Sequence, residues 1–372
     1  MTVIEVPKDQ GGLDDLLAQV PNRPAVFLLW PAEGSPYLAR TAYLRRRLLR
    51  LLKEREKPSR LLNLRHTVRR VEYELTGSAF ESGMRLYELA RLHFPETYLK
   101  FLKLRLPPYV RIALNNPFPR THVTTHLSRA PGLYFGPFRT HSTAELFESQ
   151  MLDLFQVRRC QEDLEPSPEH PGCIYGEMGM CLRPCQEVVG PEEYRHEVDR
   201  LGQFLQTSGQ SMLESVEKAR DRFSDEMLFE EAARQHKRLE KIQEVLKLRD
   251  EMARDIDRLH GVAITTSVEP NAVELWFVRN GGWLAARRFS FEIEEGKPVS
   301  LDRKLRELFV SLQGETVAQT RTLRQRQEFL ALLARWFYSS WRDGEWIFLD
   351  SFEEVPYRKL VHAISRIAKK GY

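Results

Sequence analysis

Residues 191–257 constrain this chain more than any other stretch. They are densely charged, spaced for helix and poor in β-branched side chains, with a break near Phe223-Ser224-Asp225. That pattern predicts two long helices folded back on each other as an antiparallel hairpin. Pro191-Glu192-Glu193-Tyr194 opens the first, because proline suits a first turn and acids suit the positive helix end. Helices this polar bring little apolar surface of their own, so the hairpin projects from a body that the flanking sequence must build. With 372 residues, two or three domains are expected.

The flanks differ in character. Residues 1–22 read as a polar lead-in. Ala25-Val26-Phe27-Leu28-Leu29-Trp30, a turn holding Pro31, Gly34 and Pro36, and Tyr37-Leu38-Ala39 read as a β-hairpin. A helix follows from about Thr41. Residues 69–75 alternate as a third strand, and residues 78–93 form a helix stopped before Pro95. Residues 23–115 therefore make a small α/β domain. Residues 116–190 are rich in proline and glycine, carry one helical stretch at 143–155 and contain all four cysteines. After the hairpin of 191–257, residues 260–267, 272–278 and 283–291 are strand-like, separated by Glu269-Pro270-Asn271 and Asn280-Gly281-Gly282. Helices at 302–312 and 322–338, a strand at 346–349 and a basic helix at 357–370 complete a second α/β domain over 258–372. The expected fold class is α+β, multidomain.

Several function classes fall away. No window approaches the roughly 18 uninterrupted apolar residues of a membrane span, and the acidic, polar start is unlike a signal peptide. A cytoplasmic protein with no membrane partner is expected. Four cysteines are too few for a disulfide scaffold, and their confinement to Cys160–Cys185 points to a local site. There is no glycine-rich phosphate loop with Lys and Ser/Thr. His66, His93, His122, His126 and His141 are scattered without ligand spacing, and Trp336, Trp341 and Trp346 read as core rather than as a base-stacking platform.

Net charge is only +4, but residues 40–70 hold twelve Arg or Lys against Glu54 and Glu56. A phosphate backbone is attracted to such a field. A solvated helix face is the plain alternative. Leu44, Leu48, Leu51 and Leu52 recur at helical spacing beneath the charges and give them a rigid base. Candidate DNA-binding residues are Arg40, Arg45, Arg46, Arg47, Arg50 and Lys53; Arg55, Lys57 and Arg60 continue the run.

The middle of the chain carries the most specific pattern. Gly132-Leu133-Tyr134-Phe135-Gly136-Pro137-Phe138 is followed by cysteines at 160, 173, 181 and 185, the last two within Gly179-Met180-Cys181-Leu182-Arg183-Pro184-Cys185, and then by Pro191-Glu192-Glu193-Tyr194. Four thiols in one loop-rich segment can converge on a tetrahedral metal or a cubane iron–sulfur cluster; they can also be small buried apolar residues. The spacing matches neither a zinc ribbon nor a ferredoxin. Taken in order, these motifs resemble the UvrC family, the component of the bacterial excinuclease ABC that performs the incision step of nucleotide-excision repair. The resemblance implies a bound group on Cys160, Cys173, Cys181 and Cys185, with an iron–sulfur cluster ahead of zinc.

Three further segments extend the resemblance. Residues 228–242 look like the UVR helical-hairpin motif through which the UvrC family pairs with the excinuclease B subunit. This implies partner contacts from Phe229, Glu230, Ala232, Ala233, Arg238 and Leu239, although His236-Lys237 stands where the family has Arg-Asp. An ordinary intramolecular helix pair is the alternative. Residues 23–115 resemble the GIY-YIG nuclease domain in degenerate form. Ala25-Val26-Phe27 replaces Gly-Val-Tyr, and Tyr37-Leu38-Ala39-Arg40 replaces Tyr-Val-Gly-Lys. Arg47 takes the family's arginine position, while the metal-binding glutamate falls on Leu86 and the downstream asparagine on Tyr98. Only Tyr37 and Arg47 remain as catalytic remnants, and no catalytic divalent metal is expected. Residues 260–291 resemble the stretch that precedes the family's second, RNase H-like nuclease, and Asp350 reads as an ordinary strand-end aspartate.

The resulting expectation is a UvrC-like repair protein, catalytically inactive, that binds DNA and the excinuclease B subunit or a paralogue. One alternative is an active structure-dependent endonuclease using Tyr37, Arg47 and a displaced glutamate, Glu88 or Glu81. Another is a redox-responsive iron–sulfur DNA-binding protein.

Overall fold

The structure, a computed structural model, describes residues 1–7, 10–54, 62–291, 300–315 and 322–370. Arg55, Lys57 and Arg60 of the basic run lie outside the described residues. The architecture is α+β, and the described residues form three four-stranded antiparallel sheets.

The first lobe comprises β1 (Thr2–Glu5), α1 (Gln10–Gln19), β2 (Ala25–Pro31), β3 (Tyr37–Thr41), α2 (Leu44–Leu52), β4 (Val68–Leu75), α3 (Ala79–His93) and α4 (Tyr98–Leu102). Its strand order is β1-β4-β2-β3. β2 is an unbroken apolar run because it is buried on both faces. Phe27 and Leu29 meet Leu13, Leu17, Leu44 and Leu48 of α1 and α2. Val26 and Leu28 join Leu38 against Tyr87, Leu89, Ala90 and Tyr98 of α3 and α4. Residues 1–22 are therefore no lead-in. Leu13, Leu17 and Val20 are buried, an i, i+4, i+7 stripe masked by the polar and glycine residues around it.

The second lobe contains β5 (Tyr109–Ala113), β6 (Thr121–Thr124), β7 (Gly132–Gly136), α5 (His141–Leu152) and α6 (Ile174–Glu177), then α7 (Pro191–Gln206), α8 (Gln210–Asp225), α9 (Phe229–Lys247) and β8 (Arg254–Asp255). Strand order is β6-β5-β7-β8, so the chain leaves this lobe for the helices and returns to the same sheet. Val110, Ile112, Phe135, Phe138, Phe147, Tyr194 and Phe204 share one core. The helical region holds three helices where the charge pattern predicts two. The extra break is at Ser208 and Gly209, with φ of 54° and 91°. A Cβ on Gly209 would also meet Leu246 Cδ2 at 2.6 Å, so glycine serves both the turn and the close approach of α9.

The third lobe is β9 (His260–Thr266), β10 (Ala272–Arg279), β11 (Gly282–Ser290), α10 (Leu301–Gln313), α11 (Leu323–Phe337), β12 (Gly344–Leu349) and α12 (Tyr357–Lys370), with strand order β11-β10-β9-β12. One sheet face packs on α10 and α12 through Phe277, Phe309, Leu360 and Ile364. The other packs on α11 through Trp276, Phe329, Leu333 and Trp336.

The first and third lobes are docked directly on each other. Thr266 Oγ1 donates to Gly77 O, and a Cβ on Gly77 would meet the Ser267 carbonyl carbon at 2.3 Å. Asp343 accepts from Ala79 N and, at 3.0 Å, from Trp336 Nε1. Deeper in the contact, Tyr87 Oη and Tyr98 Oη each donate to the buried Glu328 carboxylate at 2.7 Å. Among the described residues, no helix is long and apolar enough to cross a membrane.

Candidate functional site

The basic helix forms as its periodicity dictates. Leu44, Leu48, Leu51 and Leu52 of α2 are buried under the sheet face that carries Phe27. The six candidate cations are not equivalent. Arg46, Arg50 and Lys53 lie on the exposed side at i, i+4 and i+7 and make one ridge. Arg45 Nε donates to Val20 O at 2.7 Å, which ties α2 to the end of α1. Arg47 Nη2 donates to Tyr37 Oη at 3.1 Å, so the two remnant positions do stand together. Arg40 faces the other way. By strand alternation it shares the Leu38 side of β3, where its guanidinium approaches Gly83 of α3.

Among the described residues, no carboxylate pairs with Tyr37 or Arg47. Phe27, in the family's tyrosine position, is fully buried, with its ring 6.3 Å from that of Tyr37. Leu86 packs with the Val26, Leu28 and Leu38 cluster on the opposite sheet face. Glu88 is paired with Arg85 at 2.9 Å. Glu81 Oε2 accepts from Gly77 N at 2.6 Å and faces the third lobe. Tyr98 is consumed by Glu328. The positions that the resemblance assigns to a metal ligand and its neighbour thus serve lobe packing.

The cysteine segment hangs on a buried cation. Arg158 is 1% exposed; its backbone N–H donates to Tyr194 Oη, its Nε to Phe118 O at 2.9 Å and its Nη1 to Glu162 O at 2.7 Å. Nη1 also reaches Cys160 Sγ at 3.4 Å, and Nη2 is buried with no hydrogen-bond partner. A guanidinium without a carboxylate partner is costly in such a place, and the Cys160 sulfur is the side-chain group within its reach. Cys181 and Cys185 are buried, Cys160 is half-buried and Cys173 is exposed; all four are free. Burial pushes the Cys181 thiol up to about 11; the Arg183 N–H that donates to it opposes this, and the other three cysteines add to it. The thiols are close enough to feel one another, although among the described residues no three His, Cys, Asp or Glu side chains are gathered as metal ligands.

The helical pair α8–α9 is anchored at one end. Leu239, Ile242 and Val245 are buried in the core of the second lobe. From Phe229 to Arg238 the helix extends about 15 Å beyond that anchor. At its tip Met227, Leu228 and Phe229 are exposed, Phe229 by 66%. Glu230, Ala233 and Arg238 are exposed and Ala232 is half-buried. Leu239 therefore belongs to the body rather than to a partner surface. Met227 directly precedes the motif and Leu228 opens it, yet neither is among the partner residues that the resemblance implies.

Comparison with known proteins agrees with this layout. Residues 108–204, which run from β5 to α7, match the family model for the UvrC/Cho excinuclease, middle domain. The chain is similar to UvrABC system protein C of Moorella thermoacetica, with 26% identity over 76% of this chain and 46% of that protein. It is also similar to that of Lachnospira eligens, with 23% identity over 76% and 47%, and that of Ruminiclostridium cellulolyticum, with 22% over 96% and 58%. The chain spans about half the length of the curated relatives it matches. No solved structure matches it. Residues 108–204 thus match the UvrC/Cho excinuclease middle domain, and the chain is similar to UvrABC system protein C relatives on both sides of that domain.

Proposed function

We propose that this chain is a non-incising member of the excision-repair apparatus that binds DNA on the α2 ridge and docks the excinuclease B subunit, or a paralogue, at the tip of α8–α9. The observation that carries the reading is the use of Leu86 and Tyr98. A divalent ion beside Tyr37 and Arg47 would need an oxygen ligand from α3, to stabilise charge on a scissile phosphate. Instead Leu86 lies in an apolar cluster and Tyr98 donates to Glu328 of α11. The exposed Arg46, Arg50 and Lys53 supply phosphate contacts, and the exposed Phe229 supplies an aromatic anchor of the kind that dominates interfaces.

Purified protein mixed with lesion-bearing duplex, the other excinuclease components and magnesium should yield no nick. Arg46→Glu combined with Lys53→Glu should weaken duplex retention and lower the salt slope by about 2. Phe229→Ala should abolish capture on immobilised B subunit without a change in melting temperature. Nicking by the wild type, or unaltered DNA and B-subunit binding in these variants, would overturn the reading.

The same reading gives Cys160, Cys173, Cys181 and Cys185 a bound iron–sulfur cluster, or zinc as the second choice. Such a group would bring deprotonated thiolates beside Arg158 and supply the charge that its guanidinium lacks. Protein purified without oxygen should show visible iron–sulfur absorption that Cys181→Ser removes. Colourless protein containing neither iron nor zinc would end this part of the proposal.

A further inference from the structure

Between the first and third lobes, on the sheet face away from α2, lies a cavity of about 270 Å³. Its floor is apolar, with Leu38, Met84, Leu86 and Leu332 among its walls, and Phe101 and Trp341 line it as well. Phe101 and Trp341 are 45% and 44% exposed, so their rings are reachable from solvent. The sequence reading places Trp341 in the core with Trp336 and Trp346. The structure buries Trp336 and leaves Trp341 at the cavity.

Two guanidinium groups share this cavity. Arg335 Nη1 donates to Leu102 O at 3.3 Å, and the Arg40 guanidinium makes no hydrogen bond among the described residues. Arg40 and Arg335 are both exposed residues at the cavity; partial desolvation of the Arg40 guanidinium and the proximity of Arg335 hold Arg40 below the usual arginine range, with Asp343 opposing them. Both Asp343 oxygens already accept hydrogen bonds, from Ala79 N and Trp336 Nε1. The site therefore keeps an excess positive charge with donors to spare, next to an apolar and aromatic surface. A purely apolar guest would leave the cations unmatched, and a simple inorganic anion would leave the aromatic surface unused.

We propose that this cavity binds one nucleotide unit, with its base against Trp341 and Phe101 and its phosphate on Arg40 and Arg335. The proposal rests on the DNA-binding reading for its natural source, an unstacked nucleotide of a bound strand; a free mononucleotide has the same chemistry. Removing a base from its stack is least costly at damaged or mismatched positions, which would make the cavity a reader of DNA distortion. It lies on the opposite sheet face from the α2 ridge, so the two surfaces can be tested separately.

The test uses a short oligothymidylate carrying one 2-aminopurine, the same strand with an abasic unit in that place, and 2-aminopurine deoxyribonucleotide alone. Quenching of the 2-aminopurine signal on binding, with the abasic strand bound about tenfold more weakly, is the expected result. Trp341→Ala and Arg335→Gln should each remove about tenfold in affinity for the base-bearing strand. Gly83→Leu fills the cavity, since a Cβ there meets nothing nearer than Arg40 Nη1 at 3.9 Å, and it should block quenching while favouring the helix. Quenching by the mononucleotide as strong as by the strand would assign the site to free nucleotides. No quenching with either probe, equal binding of the base-bearing and abasic strands by wild type, or unaltered quenching in Gly83→Leu would overturn the proposal. Duplex retention through Arg46 and Lys53 is measured in the same variants. If it persists while quenching is absent, the cavity proposal fails alone; if it too is absent, the DNA-binding reading fails.

Discussion

Replacing Glu328 by leucine should destabilise the protein by about 3–5 kcal/mol, as expected when a buried charge network loses one member. The residue is 2% exposed, and its carboxylate accepts from Tyr87 Oη and Tyr98 Oη at 2.7 Å and from Arg324 Nε at 3.0 Å. Burial, followed by the hydrogen bond to Glu328, holds the Tyr87 phenol well above its usual range, so it stays a donor throughout the accessible pH scale. Leucine would strand two phenol hydroxyls inside the contact between α3, α4 and α11. Urea unfolding followed by tryptophan fluorescence should show the loss. Trypsin should then cut at Lys103 or Arg105, in the segment that leaves the first lobe. Adding Tyr87→Phe and Tyr98→Phe to Glu328→Leu should recover most of the stability, because no donor is then left without an acceptor. Arg324→Gln should cost only about 1 kcal/mol, since its guanidinium is largely in solvent. A Glu328→Leu variant within about 1 kcal/mol of wild type would show that the lobes do not depend on this contact.

That network marks the limit of what the residues announce. The strand run Ala25–Trp30, the stripe of leucines under the basic helix and the meander over 260–291 are legible because each follows one local period. Their partners in the fold differ only in detail from the expected ones. The β5-β6-β7 sheet is not legible, since its strands are four or five residues long and sit among prolines and glycines. The site divides in the same way. The family resemblance sets Tyr37 and Arg47 in one site, and residue type and spacing place the arginine ridge on α2. They cannot reveal that Arg40 belongs to a cavity shared with Arg335, or that Glu328 closes over Tyr98, because both depend on contacts more than 200 positions apart. The cysteine motif announces the segment but not Arg158, whose significance comes from burial rather than from its neighbours in sequence.

A second consequence of the lobe contact is a dependence on pH that runs against the usual carboxylate behaviour. Glu81 has its pKa raised from 4.5 to about 7, chiefly by burial. The Gly77 N–H that donates to it and Arg288 pull the value down, while Glu274 and Glu74 push it up. Arg288 cannot offset those acids fully, because it is already paired with Glu274 at 2.8 Å and with Glu269. The folded protein therefore binds the Glu81 proton more tightly than the unfolded chain does. This contribution is complete below pH 4.5 and is lost as pH rises through about 7. Glu81→Gln keeps an oxygen for the Gly77 N–H and carries no charge at any pH. The variant should match wild type near about pH 4 and exceed it by up to about 3 kcal/mol near about pH 9. Other carboxylates destabilise both proteins in acid alike, so the difference between the two unfolding curves is the quantity to follow. A difference that stays constant across that range would mean that Glu81 ionises normally and that the lobe contact carries no titrating charge at this position.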